Sequence, residues 1–114
     1  MPLKVDRSSL ESGVEVITLA GSLTLGRDAQ NLESSVEELI KQQKTRIVLD
    51  MSEVSFVDSA GVGILVGSHG KVATAGGKLR MAGVTPRVLN VLRITKVDNL
   101  LALDENLAAS LAAI

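Results

Sequence analysis

The chain has 114 residues, 46% of them apolar and 22% charged, the balance of an ordinary folded protein; at about 100–200 residues per domain the length predicts one domain and no second. It contains no Cys, Trp or Tyr, a single aromatic (Phe56) and a single His (His69). This inventory excludes thiol chemistry, Cys-based or His-pair metal sites, and stacking platforms for nucleic-acid bases. Twelve Lys and Arg against thirteen Asp and Glu leave a net charge of −1, so no electrostatic footprint for a nucleic acid is present and no nucleic-acid partner is expected. The segment Met1 to Arg7 lacks a secretory apolar core and no uncharged apolar run is long enough to span a bilayer, so a cytoplasmic location without membrane insertion is expected.

In chain order, Val14 to Ala20 is β-branched and predicts a strand ended by Gly21, with Leu3 to Arg7 as its hairpin partner across the polar stretch Ser8 to Gly13. From Asp28, placed as the N-cap, Ala29, Leu32, Val36, Leu39 and Ile40 recur at steps of three and four and predict a helix to Gln43. Glu37 precedes Lys41 by four residues, the favourable order for an ion pair on a helix. Arg46 to Asp50 reads as a short strand buried on both faces. A second apolar-periodic stretch follows Asp58 and stops at Gly76-Gly77, and Lys78 to Ala82 is the next strand. Thr85-Pro86 starts a short helix, a hydroxyl cap followed by proline, with Val88, Leu89, Val91 and Leu92 inward. Leu100 to Leu103 reads as an edge strand, and Asp104 as the cap of a last helix through Leu107, Ala108 and Leu111. Strands alternating with helices imply parallel pairing through right-handed crossovers. The expected fold across residues 1–114 is therefore a single small α/β domain. Its sheet is mixed but mostly parallel, with four to five strands, an N-terminal antiparallel hairpin and about four helices.

Asp58 to Gly70 breaks local rules. Its apolar spacing is helical, yet it carries Gly61, Gly63, Gly67 and Gly70, and an interior Gly costs about 0.8–1.0 kcal/mol against Ala. Close helix–sheet packing accounts for Gly67 and Gly70. Gly61 and Gly63 are expected in the first turn, directly after Asp58-Ser59, where small side chains expose backbone N–H groups and the positive end of the helix dipole. Asp58 is the expected cap, which leaves the Ser59 hydroxyl near the surface at the first helical position. Enzymatic readings of the segment fail on spacing. Gly70-Lys71 lacks the upstream Gly and the following hydroxyl of a P-loop; Gly61-x-Gly63 meets Val66 where a dinucleotide fingerprint needs Gly. As a hydrolase nucleophile, Ser59 lacks a Gly two residues before it, and His69 lies about 15 Å away along the helix. His69 reads as a surface or partly buried helix residue.

Val48-Leu49-Asp50 followed by Val54-Ser55-Phe56-Val57-Asp58-Ser59-Ala60-Gly61-Val62-Gly63 resembles the signature of STAS domains, and particularly of bacterial anti-sigma-factor antagonists. Leu19 to Leu23 is similar to the family's second-strand exit, and Gly76 to Leu79 with Val84 to Val88 to its third crossover and following helix. The resemblance implies a protein that performs no chemistry, uses no cofactor or metal, and binds an anti-sigma factor with serine kinase activity. It implies Ser59 as the phosphorylation site that turns binding off, with a serine phosphatase restoring it. The implied partner-binding residues are Gly21, Ser22, Thr24, Asp58, Ser59, Gly61 and Gly63. Thr24 stands where many antagonists have Asp, and Ala60 where a second Ser is common, which leaves one acceptor in the turn. Phe56, three residues before Ser59, is expected as core packing beneath that turn. Another role compatible with the same resemblance is a non-switching STAS subunit of an ABC-type lipid transporter. A response-regulator receiver phosphorylated at Asp50 is disfavoured, because the N-terminal strands lack the paired carboxylates that Mg²⁺ requires.

Overall fold

The computed structural model describes residues 2–114. It places β1 (Lys4–Ser9), β2 (Glu15–Leu23), α1 (Arg27–Lys41), β3 (Arg46–Val57), α2 (Ser59–Thr74), β4 (Lys78–Ala82), α3 (Pro86–Ile94), a 3-10 turn (Asp98–Leu100), β5 (Leu103–Asp104) and α4 (Leu107–Ala113). The strands form a 5-stranded sheet in chain order, β1 antiparallel to β2 and every later pair parallel. Right-handed crossovers that always step in one direction across a sheet leave their helices on one face. Accordingly α1, α2 and α3 share a face, where Leu32, Leu65 and Leu92 join Ile17, Leu49 and Met81 in the main core. After β5 no crossover remains. There α4 folds onto the opposite face, with Leu107, Leu111 and Ile114 against Val14, Val16, Val48 and Ala82.

Periodicity placed the elements and tertiary packing moved their ends. β3 runs to Val57 rather than stopping at Asp50, because β2 continues beside it to Leu23 through two register shifts. Those irregularities break the two-residue alternation, so Ser52, Glu53, Ser55 and Phe56 are all exposed, and a pattern built on strict alternation does not extend the strand. Gly21 does not end β2 but sits within it at φ 105°, and a Cβ there would overlap the Pro2 carbonyl oxygen.

Several polar assignments also change. Asp28 is not a cap: α1 starts at Arg27 behind Gly26, and Asp28 Oδ2 instead accepts from the Leu3 backbone N–H at 3.3 Å. Glu37 pairs with Lys71 of α2 at 3.0 Å, a link between helices in place of the expected bond to Lys41. The edge strand is only Leu103–Asp104, since Asp98–Leu100 turns as a 3-10 helix. Asp104 does not cap α4. Its carboxylate lies between Arg80 Nε (2.6 Å), Arg80 Nη2 (2.9 Å) and Ser110 Oγ (2.7 Å), while Asn106 Oδ1 accepts from Ala109 N–H as the true cap. Gly67 and Gly70 are not sites of close packing: a Cβ at either would meet nothing within 4 Å.

Candidate functional site

The strand–helix junction at Asp58 is built from two loops that leave the carboxyl ends of β2 and β3. Leu23 and Val57 are the last residues of these parallel strands and are direct partners. The chain beyond Val57 must turn into α2 where the chain beyond Leu23 turns toward α1. Asp58 has extended backbone, as an N-cap does, and its two carboxylate oxygens divide the work. Oδ1 accepts from the Gly61 N–H at 2.8 Å and caps α2; Oδ2 accepts from the Leu25 N–H at 3.0 Å and holds the neighbouring loop. The Asp58 N–H in turn donates to the Leu23 carbonyl at 3.2 Å. Two bonds thus fasten one loop to the other, and the third caps α2. The N–H of Leu25, then that of Gly61, keep the Asp58 carboxyl below its ordinary value of 3.8, while burial opposes them.

Gly61 makes the approach possible. A Cβ there would overlap the Leu23 carbonyl oxygen and sit 2.9 Å from Val57 Cγ1. Gly63 serves no such packing need, since it is exposed and a Cβ would meet nothing within 4 Å. Ser59 is the first residue of α2 and is exposed, with Gly63 one turn above it on the same side. The result is a bare first turn with one hydroxyl at the positive end of a 16-residue helix.

The structure brings Thr24, Asp58, Ser59 and Gly63 to this rim, while Gly61 is buried beneath it against Leu23 and Val57. Gly21 is buried inside β2, where it can shape the strand but not touch a visiting molecule; Ser22 is half-buried beside it, paired with Phe56. Phe56 does not pack beneath the turn. Its side of β3 opens outward, the residue is 38% exposed, and the Arg87 guanidinium lies 5.6 Å from the ring centroid, a cation–π distance. Sequence reasoning missed Leu25, which Asp58 holds in place and which is 81% exposed. The available signal was an apolar residue in the Thr24-Leu25-Gly26 loop that belongs to neither the strand alternation nor the helix period.

The chain belongs to the STAS domain family, whose match spans residues 10–112. It is 29% identical over 91 residues to the anti-sigma-F factor antagonist RsfB of Mycobacterium tuberculosis, across 78% of this chain and 74% of that one. An anti-sigma factor antagonist from Mycobacterium paratuberculosis superposes with a TM-score of 0.83 at 22% identity, covering 98% of this chain and 93% of the other. The anti-sigma factor antagonist SpoIIAA superposes at 0.75 in its unphosphorylated form, with 17% identity and 96% of each chain covered. The phosphorylated form of the Bacillus SpoIIAA gives 0.74 at 19% identity, over 97% of this chain and 100% of that one. At these identities the superpositions establish a shared fold.

Proposed function

We propose that this chain is an anti-sigma factor antagonist: a non-catalytic binding module whose hold on an anti-sigma factor is released by phosphorylation of Ser59. One observation carries the reading. Ser59 is exposed on a helix start that Asp58 and Gly61 pin to the adjacent loop, so a phosphate there changes the surface without requiring the fold to move. Phosphorylation adds about −1.5 to −2 charges and three acceptor oxygens. The helix dipole tolerates them. A docked partner would instead have to bury an unpaired dianion beside the Asp58 carboxylate, a cost of several kcal/mol and about a hundredfold or more in affinity. The kinase activity of the anti-sigma factor, a resetting serine phosphatase and a cytoplasmic setting complete the proposal. The proposed contact surface is Thr24, Asp58, Ser59 and Gly63, with Gly21 and Ser22 shaping the strand end behind it and the buried Gly61 shaping the helix start.

The test uses the anti-sigma factor encoded in the same genome, purified and mixed with this protein with and without ATP. Mass spectrometry should find one phosphate, at Ser59, only when ATP is present. In calorimetry Ser59→Ala should bind as the unmodified protein does, and Ser59→Asp should bind at least tenfold more weakly. Equal binding by the two variants refutes the switch. Stable association with a transporter ATPase in place of the anti-sigma factor supports the transporter-subunit role.

A further inference from the structure

The onward connections of the sheet part company at one place. Beyond Ala82 the chain passes through Val84 into α3 on the main helical face; beyond Asp104 it passes through Glu105 into α4 on the opposite face. Adjacent parallel strands whose connections leave to opposite faces cannot close over each other. They leave a crevice outside their carboxyl ends, where open α/β sheets hold small ligands. A cavity of about 530 Å³ opens there, a volume typical of small-molecule sites. It is separate from the Ser59 turn, because β3 continues from Asp50, the partner of Met81's neighbour Ala82, to Val57, about 20 Å of strand further on.

The floor of the crevice is apolar, with Leu89, Leu101 and Leu103, and its rim carries Arg93, Asp98 and Glu105. Asp104 also lines it, but Arg80 and Ser110 already engage that carboxylate. None of the three rim charges joins an ion pair among the described residues. Two free carboxylates and one free guanidinium around an apolar floor match a ligand with an ammonium group, a carboxylate and an apolar body between them. A simple amine would leave Arg93 without a counter-charge, and a simple acid would face two carboxylates. We propose that the crevice between the carboxyl ends of β4 and β5 binds a small zwitterion with an apolar body, of about dipeptide size.

The probe is the dipeptide Leu-Leu, compared with its N-acetyl form, which lacks the ammonium, and its C-terminal amide, which lacks the carboxylate. Each is titrated into ¹⁵N-labelled full-length protein to roughly 10 mM, enough to populate a millimolar site. Saturable shifts are expected at the amides of Leu89, Leu103 and Glu105, with both blocked forms weaker by roughly fivefold or more, about 1 kcal/mol. Arg93→Gln should weaken the free dipeptide and leave the amide unchanged, a difference that general loosening of the fold does not produce. Arg93 is exposed, so thermal melting of the variant serves as the folding control. Absence of saturable shifts at these amides overturns the site. Equal binding of all three ligands overturns its assignment to a zwitterion.

Discussion

Replacing Gly61 and Gly67 by Ala should shift stability in opposite directions, although both glycines sit in the same helix. Propensity alone predicts a gain of about 0.8–1.0 kcal/mol at either position. At Gly67 a Cβ meets nothing within 4 Å, so Gly67→Ala should realise that gain. At Gly61 the new methyl would enter the space of the Leu23 carbonyl oxygen and press on Val57 Cγ1 at 2.9 Å. Leu23 O is also the acceptor for the Asp58 N–H, so relief of the overlap stretches that bond. Overpacking costs about 1–3 kcal/mol and a lost backbone bond about 0.5–1.5 kcal/mol, leaving Gly61→Ala destabilised by about 1–3 kcal/mol after the propensity gain. In a domain of this size 1 kcal/mol moves Tm by about 4–8 °C, so Gly67→Ala should melt about 3–8 °C higher and Gly61→Ala about 4–24 °C lower. The chain has no Trp or Tyr, so far-ultraviolet circular dichroism is the probe, with urea titration to check the midpoints. A Gly61→Ala protein as stable as the parent refutes the packing argument at the junction; a destabilised Gly67→Ala refutes the open face of α2.

Asp58 has a folded-state pKa below its ordinary value of 3.8, caused first by the Leu25 N–H and then by that of Gly61. Its stabilisation is therefore complete above the unfolded pKa and fades as pH falls through the lower folded one; Asp58→Asn should flatten this acid limb in urea melts between pH 5 and the acid end of the titration, and an unchanged limb sinks the assignment. Removing the cap outright with Asp58→Ala should cost about 0.5–2 kcal/mol at neutral pH, read from the urea midpoint. Ser68 is buried in α2 with no partner for its Oγ among the described residues, so Ser68→Ala should raise stability by about 1 kcal/mol, and a loss of that size would reveal a missed hydrogen bond. Arg80→Met leaves Asp104 without its bidentate partner and should cost about 2 kcal/mol, less than a fully buried break. Hydrogen exchange in that variant should accelerate first in α4, because Ser110, its buried residue, bonds to the same carboxylate; uniform acceleration across the sheet would contradict this.

The mostly parallel pairing, the N-terminal hairpin and the Asp58 cap were legible because each rests on local chemistry. The run Ile47-Val48-Leu49, the helical spacing from Ala29 to Ile40, and Thr85-Pro86 state their conformations without help from distant residues. What escaped depends on partners far along the chain. Asp28 and Asp104 both precede helical runs and look like caps, but each finds a better use in a neighbour the sequence does not advertise: the Leu3 N–H for one, Arg80 for the other. Phe56 follows an apolar strand, so apolarity alone puts it inside; the register shifts of β3 put it outside. Glycine was the least readable residue. The same symbol marks a forced approach at Gly61, a positive φ at Gly21 and room for a side chain at the half-buried Gly67, and only the three-dimensional structure tells these apart. Within the site, the capped helix start with its exposed Ser59 was legible and the exposed Leu25 was not, since its position follows from Asp58 Oδ2 reaching across to the other loop.

The strands lie across the sheet in the order in which the chain makes them. Each parallel pair is therefore closed by one local loop-and-helix excursion, with no strand waiting for a distant segment to be inserted beside it, which keeps the entropy of closure small. It also ranks the molecule by ease of opening. β1 and β5 are the two margins and can fray one at a time, whereas β2 and β3 must lose neighbours on both sides before they part. The Asp58 turn grows out of that inner pair, so local opening at either margin leaves the geometry around Ser59 intact. Under the proposed function, a modifying enzyme and a binding partner would therefore meet the same rigid surface, and the covalent state of one hydroxyl would be what differs between their encounters.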